Sequence, residues 1–405
     1  MVKKSTIQEV IAFQKDKIEN AKHGLKRELL NELNQNTASF ALIISGIRRC
    51  GKSTLLHQYI LEYIHEDYIY LNFDSAKLYT FELDDFQLID ELVAEDDIQT
   101  LIFDEIQVIE GWEVYVRQKL DEGCNVIITG SNASLLSKEL GTKLTGRHIT
   151  KELFPFSYKE YFSFRNVEAS AESFSNFLKE GGFPGFLDVK DVDVHSALVD
   201  DIIHRDIAVR HNIRDAKSLK HLLIFLASNI SNLISATKIK SYIGVKSTAT
   251  IIEYLGYFEQ SYLVALMPKF SYSHKVQLVN PRKIYFIDNA LQDAITPSFS
   301  KDFGRKLENT VFWELRSRKK TLYYYNEHGK ECDFVVCLNN NIEAVIQVCY
   351  LLNLDNQRRE LNGLLDAMDY FDLKKGTIVT LDQQDVIMDK GRRIEVVPVW
   401  KFFGL

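Results

Sequence analysis

The 405-residue chain contains no run of about 18 consecutive apolar residues, the least that a helix needs to cross a bilayer. We therefore expect no membrane span. The first six residues lead into a charged helical pattern rather than the apolar core of a secretory signal, so we expect no exported leader. The sequence also shows no internal repeat and no low-complexity linker.

Cysteine is scarce, and its five residues are scattered at Cys50, Cys124, Cys332, Cys337 and Cys349. They form no C-x-x-C pair, and the spacing of the histidines matches no zinc-binding pattern. Free thiols in a reducing compartment are the simplest interpretation, so the sequence predicts a cytoplasmic protein.

Positive charge is not in excess either, because the formal net charge is -7 at pH 7. The surface as a whole will not attract nucleic acid, so any DNA contact must come from local basic runs. Short charge runs are more often ordinary solvated faces. The three candidate runs are residues 316–320, 357–359 and 390–393.

What the chain does contain is apolar sequence for packed cores, since hydrophobic residues make up 46%. Its length predicts two or three domains. Residues 5–35 read as one amphipathic helix and 82–97 as an acidic surface helix. Strands alternate with helices in the first part, which predicts a parallel sheet covered on both faces. The predicted strands are 41–45, 68–73, 100–104 and 125–129.

The segment from Gly46 to Thr54 reads GIRRCGKST and directly follows the apolar run 41–44. It fits the pattern G-x-x-x-x-G-K-[ST] between a predicted strand and a predicted helix, which is the setting of a P-loop. The glycines let backbone N–H groups close around phosphate oxygens, and the helix N-terminus adds its positive dipole end. A chance match in a glycine turn is the alternative, and the strand–loop–helix context argues against it.

This P-loop predicts ATP and Mg²⁺ as ligands. We expect Lys52 to neutralise charge on the β- and γ-phosphates and the Ser53 hydroxyl to ligate Mg²⁺. The predicted nucleotide-binding set is Gly46, Arg49, Gly51, Lys52, Ser53 and Thr54.

Residues 101–105, LIFDE, form an apolar strand that ends in two acids, which is a Walker B pattern. Asp104 is expected to hold the Mg²⁺ shell, directly or through water. Glu105 is expected to orient and polarise the attacking water as general base. Two solvated acids at a strand end are the alternative, but a P-loop about fifty residues upstream favours the catalytic interpretation. The second acid also favours hydrolysis over binding alone.

Polar residues follow the fourth predicted strand, where some P-loop ATPases contact the γ-phosphate or the attacking water. Ser131 and Asn132 both fit this position, and Asn132 is taken as the catalytic candidate. A common Gly-Ser-Asn turn is the alternative.

Three arginines compete for the role of an arginine finger, which stabilises transition-state charge. Arg147 is the first candidate, with a contribution to a neighbouring subunit as one arrangement. Arg205 and Arg210 are the others, and structural ion pairing explains each of the three equally well.

The rest of the chain changes character twice. Residues 160–215 are helical and broken by the turn 181–185, as in the helical lid that follows many ATPase cores. Residues 217–275 predict helices, a turn and a strand in the order of a winged helix, with DNA contact and protein packing equally open. A further α/β unit follows, with strand-like runs at 283–286, 322–325, 332–336 and 344–348.

The order of these motifs resembles that of bacterial and archaeal AAA-type ATPases whose core precedes a C-terminal domain of unknown function. The likeness covers nearly the whole chain, is specific for the ATPase core and is looser after residue 217. It implies an AAA+ ATPase, a homo-oligomer by analogy, and little about the client. The matching segments are 46–54, 102–107 with 111–112, 129–132, 146–147 with 154–157, 181–184 and 307–309.

The C-terminal unit is similar to PD-(D/E)XK nucleases. The resemblance implies that Glu308 matches the helical acid and Asp333 the strand acid of that family's metal site. The third element reads Gln347-Val348-Cys349 instead of E-x-K, so the lysine that would activate water is missing. We therefore predict an inactive version that serves structure or binding.

These features predict an α/β protein in four parts. A P-loop ATPase core with an N-terminal helix spans 1–155, a helical lid 156–216, a winged helix 217–275, and a nuclease-like α/β domain 276–405. The leading hypothesis is an AAA+ ATPase that couples hydrolysis to remodelling or movement on a macromolecule, with DNA as the first candidate. The alternative is a signalling or defence switch that acts through nucleotide-controlled protein assembly. A P-loop kinase is a weaker third hypothesis.

Overall fold

The computed structural model describes residues 2–33, 39–131, 144, 146–187, 189, 191, 193–245, 247–296, 302–339 and 341–404. The chain divides into two compact units, one ending at Phe154 and the other beginning at Pro155.

The first unit contains a five-stranded parallel sheet with the order β2-β3-β4-β1-β5. Its strands are β1 Ala41–Ser45, β2 Tyr68–Asn72, β3 Thr100–Asp104, β4 Asn125–Gly130 and β5 His148–Glu152. Every residue of β1 and β3 is buried, as expected for strands with both faces covered. The parallel sheet and its first four strands are confirmed, whereas the sequence analysis missed β5.

Helices accompany this sheet: α1 Lys4–Asn20, α2 Lys52–Tyr63, α3 Phe86–Asp96 and α4 Trp112–Asp121. The expected single helix over 5–35 is wrong, because α1 ends at Asn20 and only a 3₁₀ turn, Glu28–Glu32, follows. The chain turns at Gly24, whose φ of +59° lies in the left-handed region. The His23 ring also bonds back to the Ile18 carbonyl at 2.6 Å and closes the end of α1.

The second unit opens with helices. They are α5 Tyr158–Arg165, α6 Ala171–Glu180 and α7 Asp193–Asp201, and the last continues as a π-helical segment, Ile202–Val209. The turn after α6 is fixed by Asp288, which accepts the Gly182 N–H at 2.7 Å and caps the N-terminus of a later helix. These helices fill the region for which a helical lid is predicted.

A small antiparallel sheet follows, with the order β6-β8-β7. Its strands are β6 Leu233–Ile234, β7 Val264–Met267 and β8 Arg282–Phe286. The helices of this region are α8 Ala216–Ala227, α9 Ala236–Ile243, α10 Thr248–Gln260 and α11 His274–Val279. The order of these elements along the chain agrees with a winged helix, which stays a prediction. Strand β8 pairs with β6 and β7 across residue 275, and the domain boundary predicted there stays a prediction.

The last part is a mixed sheet with the order β13-β14-β12-β11-β10-β9. Strands β9 to β11 form an antiparallel meander, and β12 joins β11 in parallel. The elements are α12 Asn289–Ile295, α13 Phe303–Ser317, β9 Thr321–Glu327, β10 Lys330–Leu338, β11 Asn341–Val348, α14 Gln357–Tyr370, β12 Lys375–Thr380, β13 Asp385–Asp389, β14 Arg392–Pro398 and α15 Val399–Phe402.

Acids from outside the three basic runs pair with several of their cations. Carboxylates lie within 2.8 Å of the cations in the pairs Arg318–Glu314, Lys320–Glu343, Arg359–Glu360, Arg392–Asp389 and Arg393–Glu395. Such pairing cancels much of the local positive charge that a nucleic-acid surface needs. Among the helices that the structure describes, none has both the length and the apolar character to span a lipid bilayer.

Candidate functional site

The P-loop and the two Walker B acids lie at the same edge of the first sheet. The P-loop leaves the end of β1, and the acids stand at the end of β3. Both strands flank β4 in parallel, with Ser45 beside Gly130 and Phe103 beside Ile128. Because parallel strands end at one edge, segments about fifty residues apart in sequence meet there.

Two contacts join these segments crosswise. The Lys52 ammonium lies 3.4 Å from a carboxylate oxygen of Glu105, and both side chains are largely buried. The Ser53 hydroxyl lies near the Asp104 carboxylate and lowers the pKa of that acid. The cation and the hydroxyl predicted to bind phosphate and Mg²⁺ therefore meet the two acids predicted to act with them.

Gly46 begins the P-loop where the chain passes close to the end of β5. A Cβ at this position would lie 2.1 Å from the Leu153 carbonyl oxygen, so no other residue fits without moving backbone. The Gly46 carbonyl also accepts a hydrogen bond from Lys52 Nζ at 3.1 Å. The loop is thus shaped by a close backbone approach beneath it.

Arg27 fastens the other side of the P-loop. Its side chain is buried, and its two terminal nitrogens donate to the carbonyl oxygens of Cys50 and Phe154, each at 2.8 Å. Gln58 on α2 holds the preceding segment by donating to the carbonyls of His23 and Leu25. The guanidinium therefore ties the P-loop backbone to the chain that leaves β5.

Asp104 is completely buried and held by three further side chains. One oxygen accepts bonds from the Tyr70 hydroxyl at 3.0 Å and the Asn72 amide at 2.7 Å. The other accepts a bond from the Thr129 hydroxyl. Burial, and then the charge of Glu105, raise the pKa of Asp104. These hydrogen bonds fix the orientation of the carboxylate. Keeping its negative charge buried costs free energy, which a bound cation would offset.

Glu105 has an uncommon backbone for a residue with a side chain, with φ at +56°. Its N–H donates to the Thr129 hydroxyl at 3.0 Å, which stabilises this left-handed conformation. The Gln107 amide donates to its carboxylate. Burial pushes the pKa of Glu105 upward, but the Lys52 ammonium, the Gln107 amide and the Arg48 charge together outweigh it, so the pKa is lowered. Glu105 is therefore ionised and able to accept a proton.

The other predicted residues of the site are placed as follows. Arg49 is exposed on the P-loop with φ at +65°, and Thr54 lies in the first turn of α2, half-buried. Ser131 is buried, with its hydroxyl 3.4 Å from the Gln107 amide nitrogen. Asn132 lies outside the described residues.

Arg147 lies at the opposite end of the sheet from the P-loop. Its carbonyl accepts the N–H of Ala41, the first residue of β1, and its guanidinium pairs with Asp121 at 2.7 Å. The length of β1, about 13 Å at 3.3 Å per residue, separates it from the phosphate edge of its own chain. A finger role would thus require a second copy of the chain. Of the competitors in the second unit, Arg205 lies 3.8 Å from Asp201.

Four residues of the site were missed by the sequence analysis: Arg27, Tyr70, Asn72 and Thr129. Thr129 had a signal, because a polar residue that ends an apolar strand points to the carboxyl edge of the sheet. Tyr70 and Asn72 are two residues apart on β2 and therefore lie on the same face. Only the pairing of β2 with β3 shows that they meet Asp104. Arg27 had none, since its segment was read as part of one amphipathic helix.

Two family models and several known proteins match this chain. A family model described as an AAA domain matches residues 38–162, and one for a domain of unknown function matches 171–302. An uncharacterized protein of Methanocaldococcus jannaschii is 34% identical over 98% of this chain and 96% of its own length. One of Haemophilus influenzae is 31% identical over 82% of this chain and 87% of its own length.

Among solved structures, the chain is similar to AMPPCP-bound DnaA from Aquifex aeolicus, with 15% identity, 57% of this chain and 86% of that chain covered, and a TM-score of 0.31. It is also similar to Cdc6p from Pyrobaculum aerophilum, with 15% identity, 63% and 86% coverage, and a TM-score of 0.27. By its extended identity to the two uncharacterized relatives, the chain belongs to their family, and its first unit is a P-loop AAA+ core.

Proposed function

We propose that the first unit binds ATP with Mg²⁺ and hydrolyses it. The observation that carries this proposal is the 3.4 Å contact between the Lys52 ammonium of the P-loop and the Glu105 carboxylate at the end of β3. It supports one compact site for a triphosphate, a divalent cation and a general base.

The residues fit this ligand set. The P-loop leads into the N-terminus of α2 at Lys52, and backbone N–H groups at a helix N-terminus bind phosphate oxygens. Lys52 exchanges its contact with Glu105 for the β- and γ-phosphates. Ser53 and Asp104 are the residues that would hold Mg²⁺, which supplies neutralising charge when bound.

Glu105 then orients the attacking water. The water oxygen bonds to the γ-phosphorus, the bond from this phosphorus to the bridging β–γ oxygen breaks, and the proton passes towards the Glu105 carboxylate. The products are ADP and inorganic phosphate. A lowered pKa keeps this carboxylate ready as acceptor at neutral pH.

Calorimetry and phosphate release test the proposal together. Lys52→Ala should abolish ATP binding and turnover, whereas Lys77→Ala, a change at an exposed lysine paired with Glu9, should leave both intact. Native chain that gives no heat with ATP·Mg²⁺ would remove the proposal.

We further propose that hydrolysis acts on a macromolecular client, with DNA as the first candidate. The helix, strand, helix, helix, strand, helix and strand order of residues 216–286 supports this, because a winged helix is a common DNA-binding arrangement. Turnover measured with and without duplex and branched DNA tests it. Stimulation supports DNA as the client, and an unchanged rate removes it.

A second candidate is a switch in which nucleotide controls protein assembly. The ion pairing of the basic runs favours it, since pairing with acids reduces the positive charge that these runs offer to phosphate backbones. Mass measured in solution with ADP, with a non-hydrolysable ATP analogue and without nucleotide distinguishes the two. A mass that depends on nucleotide, together with no response to DNA, selects the switch.

A further inference from the structure

Lys283 lies in the second unit with a side chain that is only 2% exposed. Its ammonium is 2.7 Å from Glu331, 2.8 Å from Asp333 and 3.2 Å from Glu308. Three carboxyl groups thus converge on a single buried cation. The lysine comes from β8 and its partners from α13 and β10, so the cluster joins the small sheet to the large one.

The acids around Lys283 are held in place by other groups. The Tyr285 hydroxyl donates to Glu308 at 2.7 Å. Asp333 uses its second oxygen to accept the Val348 N–H at 2.9 Å. Burial alone would lower the pKa of Lys283, but Asp333 and Glu308 raise it well above its ordinary value. The ammonium therefore stays charged across the physiological range.

The neighbouring position on β11 offers no further anionic ligand. Gln347 donates its amide to Glu360 at 2.7 Å, while its oxygen accepts the Asp333 N–H at 3.3 Å. Burial, with Glu360 next, raises the pKa of Cys349 to about 11, so this thiol is neutral. Both groups are occupied or uncharged, unlike the ligands that a hard divalent cation prefers.

A divalent metal does not fit the site in this arrangement. Mg²⁺ needs oxygen ligands at about 2.0–2.1 Å, and the point on which the three acids converge is filled by the Lys283 nitrogen. Within the described ranges, no group of three or more His, Cys, Asp or Glu side chains is placed to hold a metal ion. The disagreement with a nuclease-type metal site is thus local and specific.

We propose that Lys283 is the resident cation of this cluster, in the place that a divalent metal would take. A cleft of about 1200 Å³ lies beside Lys283 and is lined by Glu308, Asp333 and Gln347 among others. In this cleft the lysine, rather than a bound metal ion, balances the negative charge of the acids. Removing the lysine charge leaves three carboxyl groups around one point and creates a metal site that this cluster lacks in the native chain.

Mn²⁺ titration followed by electron paramagnetic resonance tests this, with Asp104→Asn in every sample so that the Walker B acid does not contribute. The chain with native Lys283 should bind no Mn²⁺ that depends on Asp333. Lys283→Gln should gain Mn²⁺ binding, and adding Asp333→Asn should remove it again. Lys269→Gln is the matched control, because Lys269 has one carboxylate partner at 2.8 Å and should gain nothing.

Thermal unfolding keeps the test decisive if Lys283→Gln folds poorly. Its melting temperature should be low and should rise with Mn²⁺, while Lys283→Arg should retain a charge and ignore the metal. Asp333-dependent Mn²⁺ binding by the chain with native Lys283 would overturn the proposal, and so would a Lys283→Gln chain that ignores Mn²⁺ in both measurements.

Discussion

The ammonium of Lys52 lies 3.4 Å from the carboxylate of Glu105, so the proposed phosphate-binding cation and the proposed general base neutralise each other. Under the proposed function, a triphosphate that draws Lys52 away would also release Glu105 towards water. Nucleotide binding and activation of the base would then be coupled through one ion pair.

Replacing Glu105 by Gln should separate these two steps. The amide cannot accept a proton, so turnover should fall by at least about 100-fold, the lower range for a lost general base. ATP affinity should be retained or improved, because Lys52 loses a competing anion. Calorimetry and phosphate release measure the two effects. Glu110→Gln, at an exposed acid nearby, serves as control, and native turnover in Glu105→Gln would remove the assigned role.

Tyr70 should act as a positioning residue through Asp104. Burial, with the charge of Asp104 next, raises the pKa of Tyr70, so its hydroxyl remains a proton donor. Tyr70→Phe deletes this donor and keeps the ring, at a cost of about 1 kcal/mol. We expect turnover to fall about fivefold and the Mg²⁺ concentration for half-maximal rate to rise. Tyr68→Phe on the same strand should change neither, and an unaltered Mg²⁺ dependence in Tyr70→Phe would refute this role.

Arg27→Met should loosen the P-loop without touching nucleotide chemistry. It removes the hydrogen bonds that Arg27 donates to the carbonyls of Cys50 and Phe154, at about 1–3 kcal/mol each. The KM for ATP should rise about tenfold while kcat changes little, and Arg27→Lys should recover part of the loss. Lys26→Met, at an exposed neighbour paired with Glu62, is the control. A kcat loss at unchanged KM would contradict the assignment.

Glu308 should make the second unit less stable as pH rises. Burial, with Asp333 next, raises its pKa from 4.5 to about 8. Between these values the folded chain holds a proton that the unfolded chain has released, so the free energy of unfolding falls with pH. The slope difference between native chain and Glu308→Gln should approach about 1.4 kcal/mol per pH unit, the value for one proton.

Hydrogen exchange of peptides that cover residues 303–338 measures this local stability at pH 5 to 8. Glu343→Gln, at an exposed acid of β11, should keep the native slope. Parallel pH profiles for the native chain and Glu308→Gln would show that this carboxyl does not titrate in that window.

Buried parallel strands read as continuous apolar runs, which is why β1 to β4 were predictable from sequence. Because parallel strands end at one edge of a sheet, a parallel arrangement of β1 and β3 places the P-loop and the Walker B acids together. In contrast, β5 has the sequence HITKE and is half-buried throughout at the edge of the sheet, so it carries no apolar run. Its partner β1 defines it, and that pairing is a long-range contact.

Long-range contacts also explain the other failures. Strand β8 belongs to the small sheet because it pairs with Leu233 and Ile234 of β6 and with β7. A local sequence pattern cannot show these pairings. Lys283 looked like an ordinary strand lysine, and only the folded chain brings Glu308, Glu331 and Asp333 around it. Residue type predicted the chemistry of the acids, whereas the identity of their cation depended on tertiary structure.

Cys50 sits within the P-loop, fully buried, with its thiol directed at the Leu153 carbonyl at 3.4 Å. Burial raises the pKa of this thiol and shields it, so a maleimide reagent can reach it only when the loop opens. The labelling rate of Cys50, measured by mass spectrometry, therefore reports how often the loop opens. Nucleotide that binds to the loop should lower this labelling rate.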